Sequence, residues 1–569
     1  MSGRTVRSRA WMPILFIWAG LAAFAGEGKL IPTPAEAAGY REYTRNESIA
    51  AFLSELAAQA PALRVSVAGR SLPTEACGAM DLFLAVLAEK PAAAPAELDR
   101  TKPTVLVTAA QHGNEQSAKE AALRLVRDLA AGELSPLLAR LNVLVMPQTN
   151  PCGNLRNVRA DELGLDMNRD HVKLETEGVR AIHRVFQDWK PEVTIDVHEK
   201  GDDYYRVSIG CVSNANIDQG LQEFSRNTLL AEIGRALERR KVAFHEYLVT
   251  EDLGVDTSSG SARAAKQPAA SEEMKRYSTT DLNDGRNSLG IFETLSFIQE
   301  GASRHDLETL RRRTDWQYDG LRAFLESAAG HAPEILELVR SRRARLLERA
   351  AERAPGDDVR LRMKYVRDPA VPELRLKRFD REGPPVRGVL RVDKKAGEAV
   401  TSADLLPPPE PRGAPVDDEI VKNWFPLVVP TLGVSRPAGY IFKGDRPEIA
   451  STLRALGVEV GMFVRDVLVE AEVYEVESII PARFDYDPPE RIDVAAKAAR
   501  LPVRKGDFYV SCAQPAAHLV PCLLEPQSDF GFIRYGKFKL APEAGGLYEI
   551  RRYTGKEDLP VVPYRPWRP

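Results

Sequence analysis

Short, unbroken apolar runs alternate with longer amphipathic stretches over the first half of the chain. Arg64–Ala68, Met80–Leu87, Thr104–Thr108, Leu141–Met146 and Val193–Val197 read as strands; the last three are apolar on both faces, as expected of strands covered on either side. Ser48–Ala58, Ser117–Ala131 and Thr176–Trp189 carry apolar positions at helical spacing. Alternation of this kind predicts an α/β fold: a doubly wound, mostly parallel mixed sheet with helices on both faces. In such sheets ligands bind beyond the carboxyl ends of the strands, so residues just after each run matter most.

The pattern changes downstream. A basic helical stretch, Pro333–Ala351, holds Arg340, Arg342, Arg343 and Arg345, and reads as a helix with a solvated face. Past Gly356 the runs shorten and turns multiply, and Leu406-Pro407-Pro408-Pro409-Glu410-Pro411 reads as a stiff spacer. A helix is expected at Pro447–Leu456 and a strand at Glu472–Val476. The expected division is therefore residues 1–37 as a signal peptide, 38–330 as a catalytic domain, 331–415 as a helical and proline-rich linker, and 416–569 as a smaller strand-rich domain whose role the sequence does not reveal.

Two of the strand ends carry metal-binding chemistry. Thr104–Thr108 leads into Gln111-His112-Gly113-Asn114-Glu115, and Val193–Val197 leads into His198. Two histidines and one carboxylate projecting from one sheet edge form the ligand set of a hydrolytic zinc centre with an open fourth position. His-x-x-Glu alone is a weak signal. The residues that follow strengthen it: Asn150-Pro151-Cys152-Gly153, then Arg159, then Asp166-Met167-Asn168-Arg169-Asp170, then Glu293 beside the apolar stretch Leu289-Gly290-Ile291-Phe292.

In this order the residues resemble the zinc carboxypeptidase family typified by pancreatic carboxypeptidase A, over roughly Tyr40 to Leu325. The resemblance implies one Zn²⁺ held by His112, Glu115 and His198. It further implies Glu293 as general base, Arg159 polarising the scissile carbonyl, Asn168 and Arg169 gripping the substrate's terminal carboxylate, and Asp166 orienting the first histidine. An arginine's planar fork suits a carboxylate, so the implied substrate is a peptide with a free C-terminus. Tyr277, with Tyr204 and Tyr205 as alternatives, is the expectation for the tyrosine that closes over substrate. A related zinc amidohydrolase or deacylase, an enzyme that trims cell-wall peptides, and a catalytically silent peptide-binding protein are the competing readings.

Other residues read less sharply. His171 suits a helix start, with a pocket contact as the alternative. Arg286-Asn287 would add positive charge to the cleft or stabilise a loop. Glu199 falls on the opposite side of its strand from His198, and His518 reads as packing or surface. Five cysteines suit neither a thiol cluster nor a dense disulfide framework; Cys512–Cys522 and Cys152–Cys211 are the pairs guessed from sequence.

Arg4, Arg7 and Arg9 precede the apolar run Trp11–Ala25, and Ala23-Phe24-Ala25 and Ala35-Glu36-Ala37 both fit a cleavage site, which predicts a secreted or periplasmic protein with no stable membrane span after signal removal. A formal charge of −3, from 78 basic and 81 acidic residues, gives no electrostatic case for nucleic acid. Oligomeric state is not legible in the sequence.

Overall fold

The computed structural model describes residues 30–201, 204–252, 273–302, 306–354, 356–381, 411–481, 491–540 and 542–565. Its first half is built on an eight-stranded sheet. The strands are β1 (Leu63–Arg70), β2 (Asp81–Leu87), β3 (Thr104–Ala109), β4 (Asn142–Met146), β5 (Val193–Lys200), β6 (Val207–Cys211), β7 (Phe244–Glu246) and β8 (Leu295–Ala302). In space they lie β1-β2-β4-β3-β5-β8-β6-β7. The centre, β4-β3-β5-β8, is parallel, while β1 and β2 on one side and the β8–β6 pairing on the other are antiparallel. Every residue of β3, β4 and β8 is buried; β3 and β4 are accordingly apolar on both faces, while β8 also buries Ser296, Gln299 and Glu300.

Helices cover both faces. Gln116–Ala131 packs with Leu310–Gly330 over one, and Glu177–Trp189 and the short Gly285–Gly290 lie over the other. Thr176 caps the first turn of Glu177–Trp189 by accepting from Val179 N–H at 3.4 Å. The Leu310–Gly330 helix escaped the sequence reading because its inward face is partly polar. Buried Arg313 holds Glu199, and Gln317 O accepts from Gln299, so apolar periodicity is interrupted where the core is closed by hydrogen bonds.

The later half begins with the helix Ala332–Glu352 and contains a seven-stranded antiparallel sheet whose two longest members are Val467–Ile480 and Arg491–Val503. The expected helix at 447–456 is Pro447–Ala455. Prolines 407–409 of the expected spacer lie outside the described residues. One continuous hydrophobic core runs through both halves, joining Val107 and Phe297 to Phe442, Leu453, Val510 and Leu523. Gln187 donates to Leu456 O at 3.1 Å, and Asn216 to Arg360 O at 2.8 Å, across the same junction.

Two sequence expectations need correction or restriction. Cys152 pairs with Cys77, with a Cα–Cα distance of 5.8 Å, and Cys211, Cys512 and Cys522 are buried free thiols, so neither guessed pair forms. Residues 1–29 lie outside the described part of the chain, so most of the signal segment does too. Its last residues do not: Thr33 and Glu36 form a capping box around Pro34–Ala37, Ala35 is buried, and Glu36 pairs with Arg127. Among the described residues no helix is long and apolar enough to cross a membrane.

Candidate metal centre and active site

Beyond β3 the chain turns through Ala110, whose φ is +59°, and forms the tight His112–Glu115 turn, closed by Glu115 N–H donating to His112 O at 3.1 Å. This turn is pressed onto the Pro151–Arg156 helix. Gly113 donates to Arg159 O at 3.2 Å, and a Cβ built at Gly113 would fall 2.0 Å from the Gly153 carbonyl carbon. Any side chain at Gly113 would therefore force the two backbones apart and move His112 and Glu115 with them. The Cys77–Cys152 bridge and Asn150, whose side chain accepts from Gly153 N–H, hold the other half of that contact.

His112, Glu115 and His198 converge, with one ligand atom from each lying within 4.8 Å of the others, and all three are buried. His112 Nδ1 is 2.7 Å from Glu115 Oε1, His198 Nδ1 is 2.8 Å from Oε2, and the two Nδ1 atoms are 3.1 Å apart. Behind each ring stands a carboxylate. His112 Nε2 meets Asp166 Oδ1 at 3.0 Å, and His198 Nε2 meets Asp196 Oδ2 at 2.5 Å. A carboxylate only accepts, so each Nε2 keeps its proton and each Nδ1 presents a lone pair inward. Two imidazole nitrogens and a carboxylate, buried and aimed at one point, fit zinc.

The surrounding charges are mutually arranged. Burial alone would raise the Glu115 carboxyl, but His112 and His198 hold it well below its usual range. Asp166 is likewise held down against burial by His112 and Arg159. Arg159 Nε and Nη2 grip Asp166 Oδ2 at 3.0 and 2.9 Å, and its Nη1 comes within 3.8 Å of Glu115. Asp196 is fixed in turn by Thr108 Oγ1 at 2.8 Å and by Gln111 Nε2 at 2.6 Å. Gln111 Oε1 is 3.0 Å from His171, whose other nitrogen meets His183 at 3.1 Å. His171 is thus a buried support behind the metal site. Asn168 Nδ2 lies 3.4 Å from His198 Nε2, while its Oδ1 accepts from Gly285 N–H at 2.9 Å. Arg169 is exposed and donates to Asn168 O at 2.6 Å.

Glu293 is not with them. It precedes β8, at the end of the sheet opposite the triad, where its carboxylate accepts from Asp218 N–H at 3.0 Å and faces His518 Nε2 at 3.2 Å. β8 runs parallel to β5, pairing Leu295 with Val193 and Glu300 with His198. The carboxylate beside the triad is therefore Glu300. Its Oε2 has no hydrogen-bond partner among the described residues, and burial pushes its carboxyl up to about 7, His198 partly opposing. The signal for it was in the chain: Glu300 ends the run Leu295–Gln299 as His198 ends Val193–Val197, whereas Glu293 stands before its run.

Tyr277 packs edge-on against Trp424, ring centroids 4.6 Å apart, with the Arg226 guanidinium 4.3 Å over its ring. Glu199 lies on the far face of β5 from His198, bound by Ser117 and, at 2.6 Å, by Arg313 Nη1.

Residues 49–199 match the family model described as zinc carboxypeptidase, and that span includes all three convergent ligands. Over that span the chain is similar to the zinc carboxypeptidase family. Among curated proteins it is similar to carboxypeptidase 2 of Trichophyton tonsurans, 24% identical over 461 residues that cover 78% of this chain and 74% of the fungal one. Probable carboxypeptidase 2 of Trichophyton verrucosum is 28% identical over 202 residues, 33% of this chain and 36% of its own. A metallo-carboxypeptidase structure from Burkholderia cenocepacia aligns at 20% identity and a TM-score of 0.38, covering 52% of this chain and 71% of that one. Carboxypeptidase A from Helicoverpa armigera aligns at 14% identity and a TM-score of 0.38, covering 51% and 75%.

Proposed function

We propose that this zinc carboxypeptidase hydrolyses the last peptide bond of peptides with a free C-terminus, with Glu300 as the general base. The observation that carries this reading is the meeting of the His112–Glu115–His198 triad with the carboxylate of Glu300, whose Oε2 has no partner among the described residues, in register with His198 on the sheet. When bound, zinc supplies a Lewis acid that polarises a carbonyl and lowers the pKa of water. Glu300 Oε2 takes the proton of the attacking water and hands it to the departing amine, a task suited to a carboxyl whose affinity for protons burial has raised. Arg159, anchored on Asp166, turns Nη1 toward the triad, where it stabilises charge growing on the carbonyl oxygen. Asn168 and Arg169 are the groups for the terminal carboxylate: one stands beside His198, and the other holds its guanidinium at the solvent side.

The test is hydrolysis of paired peptides that differ only in a free or amidated C-terminus, with zinc content measured on the same preparation. Release of the last residue from the free form alone, lost on chelation and restored by zinc, is the expected result. Equal cleavage of the amidated form, or hydrolysis of N-acyl amino acids with none of peptides, would overturn it.

We further propose export, with cleavage after Ala25 rather than after Ala37. The later site would remove Ala35 from the core and Glu36 from Arg127, and with them the capped turn at Pro34–Ala37. N-terminal sequencing of the exported protein distinguishes the two sites.

A further inference from the structure

Arg286 is 2% exposed, and two of its nitrogens, Nε and Nη1, have no hydrogen-bond partner among the described residues. A buried guanidinium left this way is expensive, and such a group in a native fold calls for a partner that arrives from outside. Its remaining contacts are few. Nη2 donates to Asp284 Oδ2 at 2.8 Å, and the group lies 5.4 Å from the centre of the Tyr247 ring. Asp284 pairs with Arg286 through Oδ2 alone, its Oδ1 capping the Gly285–Gly290 helix by accepting from Asn287 N–H at 2.8 Å, so Nε and Nη1 are left to other groups.

The sheet register fixes where this guanidinium stands. His198, Glu300 and Ser208 form one row across β5, β8 and β6, and Asp196, Ile298 and Gly210 form a parallel row two residues deeper. Residues two apart on a strand share a face, so both rows look the same way. Gly210 has no side chain, and the space above it is taken by Tyr247 and by Arg286 Nη1, which lies 3.4 Å from where a Cβ would be. Arg286 thus sits on the catalytic face, one strand across and two residues down from Glu300, about 8 Å away by strand spacing and rise. Ser208 Oγ, between them, is also buried and without a hydrogen-bond partner among the described residues. A larger residue at 210 would push the guanidinium out of this place.

Building on the carboxypeptidase reading, we infer that Arg286 binds an acidic side chain on the residue being released, making the enzyme selective for C-terminal glutamate or aspartate. The terminal carboxylate has its own groups in Asn168 and Arg169, so a second anionic group on the same residue is the partner that fits Nε and Nη1. Ser208 Oγ adds one hydrogen bond to it. Guanidinium and carboxylate match in geometry, and the guanidinium is buried, so a neutral isostere is disfavoured.

The experiment compares kcat/KM for peptides identical except for a last residue of Glu, Gln, Leu or Lys, in wild type, Arg286→Met and Arg286→Lys. Wild type should prefer Glu over isosteric Gln by about tenfold or more. Arg286→Met should bring that ratio near unity, and Arg286→Lys should restore part of it. Zinc content and the thermal transition, measured alongside, report whether the variants fold. The wild-type ratio needs no variant: equal turnover of Glu and Gln, or a preference for Leu or Lys, overturns the inference. So does a fall of equal size for all four peptides in folded Arg286→Met, which would place Arg286 on the terminal carboxylate. Failure to release any C-terminal residue would instead refute the carboxypeptidase reading itself.

Discussion

Replacing Glu300 and Glu293 separately by Gln distinguishes the carboxylate beside the triad from the one at the opposite end of the sheet. A positioned general base contributes about 10²–10⁴-fold, which is roughly 3–5 kcal/mol of barrier. Glu300→Gln should therefore lower kcat by at least about 100-fold while zinc stays bound, since Glu300 is not among the convergent ligands. For Glu293 the structure bounds the effect from above. Between Glu300 and Leu295, the residue nearest Glu293's end of β8, the strand rises about 17 Å. A unit charge removed at that distance changes the site's energy by at most about 1 kcal/mol at an effective dielectric constant of ~20, or roughly fivefold in rate. Its local role is different: the carboxylate accepts from Asp218 N–H and faces His518 across the junction with the later half. Glu293→Gln keeps an acceptor oxygen but loses the charge, so it should lower stability by about 1–2 kcal/mol and leave turnover nearly intact. Steady-state kinetics, zinc content and thermal unfolding on both variants complete the comparison. A loss of 100-fold or more in Glu293→Gln with normal zinc, beside a nearly unaffected Glu300→Gln, would refute the assignment.

Three further outcomes follow from the same contacts. Asp166→Ala removes the acceptor behind His112 and the anchor of Arg159; zinc affinity should fall about 10–100-fold in competition with a chelator, and unchanged affinity would deny Asp166 that orienting role. Cys77→Ser opens a loop closed across 75 positions, for which chain entropy allows up to about 4 kcal/mol of destabilisation in chemical unfolding; a shift within error would show that the bridge adds nothing. Asp161 is a buried acid whose carboxyl burial pushes up to about 6, with Oδ2 unpartnered among the described residues and Oδ1 accepting from Leu163 and Leu165 N–H. Because the folded form keeps its proton longer than the unfolded one, stability is lost as pH rises from about 4 through about 6 and stays lost above. Asp161→Asn should thus raise the unfolding temperature at neutral pH and lose that advantage near pH 4, and a pH-independent difference would contradict the argument.

The parallel centre of the sheet was readable because β3 and β4 are buried on both faces and rich in Val and Leu, and because β5 opens with the apolar positions Val193, Ile195 and Val197 before its polar end. His112, Glu115 and His198 were readable for a related reason: a polar ligand directly after such a run stands out. The same logic applied to β8 would have chosen Glu300, but Glu293 also borders apolar residues, and only strand direction tells which border faces the metal. Strand direction is a property of the assembled sheet. Cys77 was illegible as the partner of Cys152 because proximity across 75 positions is set by how β1 and β2 fold back, which no local pattern encodes. Arg286 announced only positive charge; its isolation inside the fold emerges from Gly210 on a different strand.

The shared interior of the two halves bears on how the protein is made. Val107 and Phe297 belong to the same connected hydrophobic core as Val510 and Leu523, so the ribosome must finish some 200 further residues after β8 before the whole of that core can close. At 5–20 residues per second the wait is about 10–40 seconds, during which the nascent chain presents unburied apolar surface. Holdase chaperones would find it an easy client, and a polypeptide kept open that long is one a translocase can still thread.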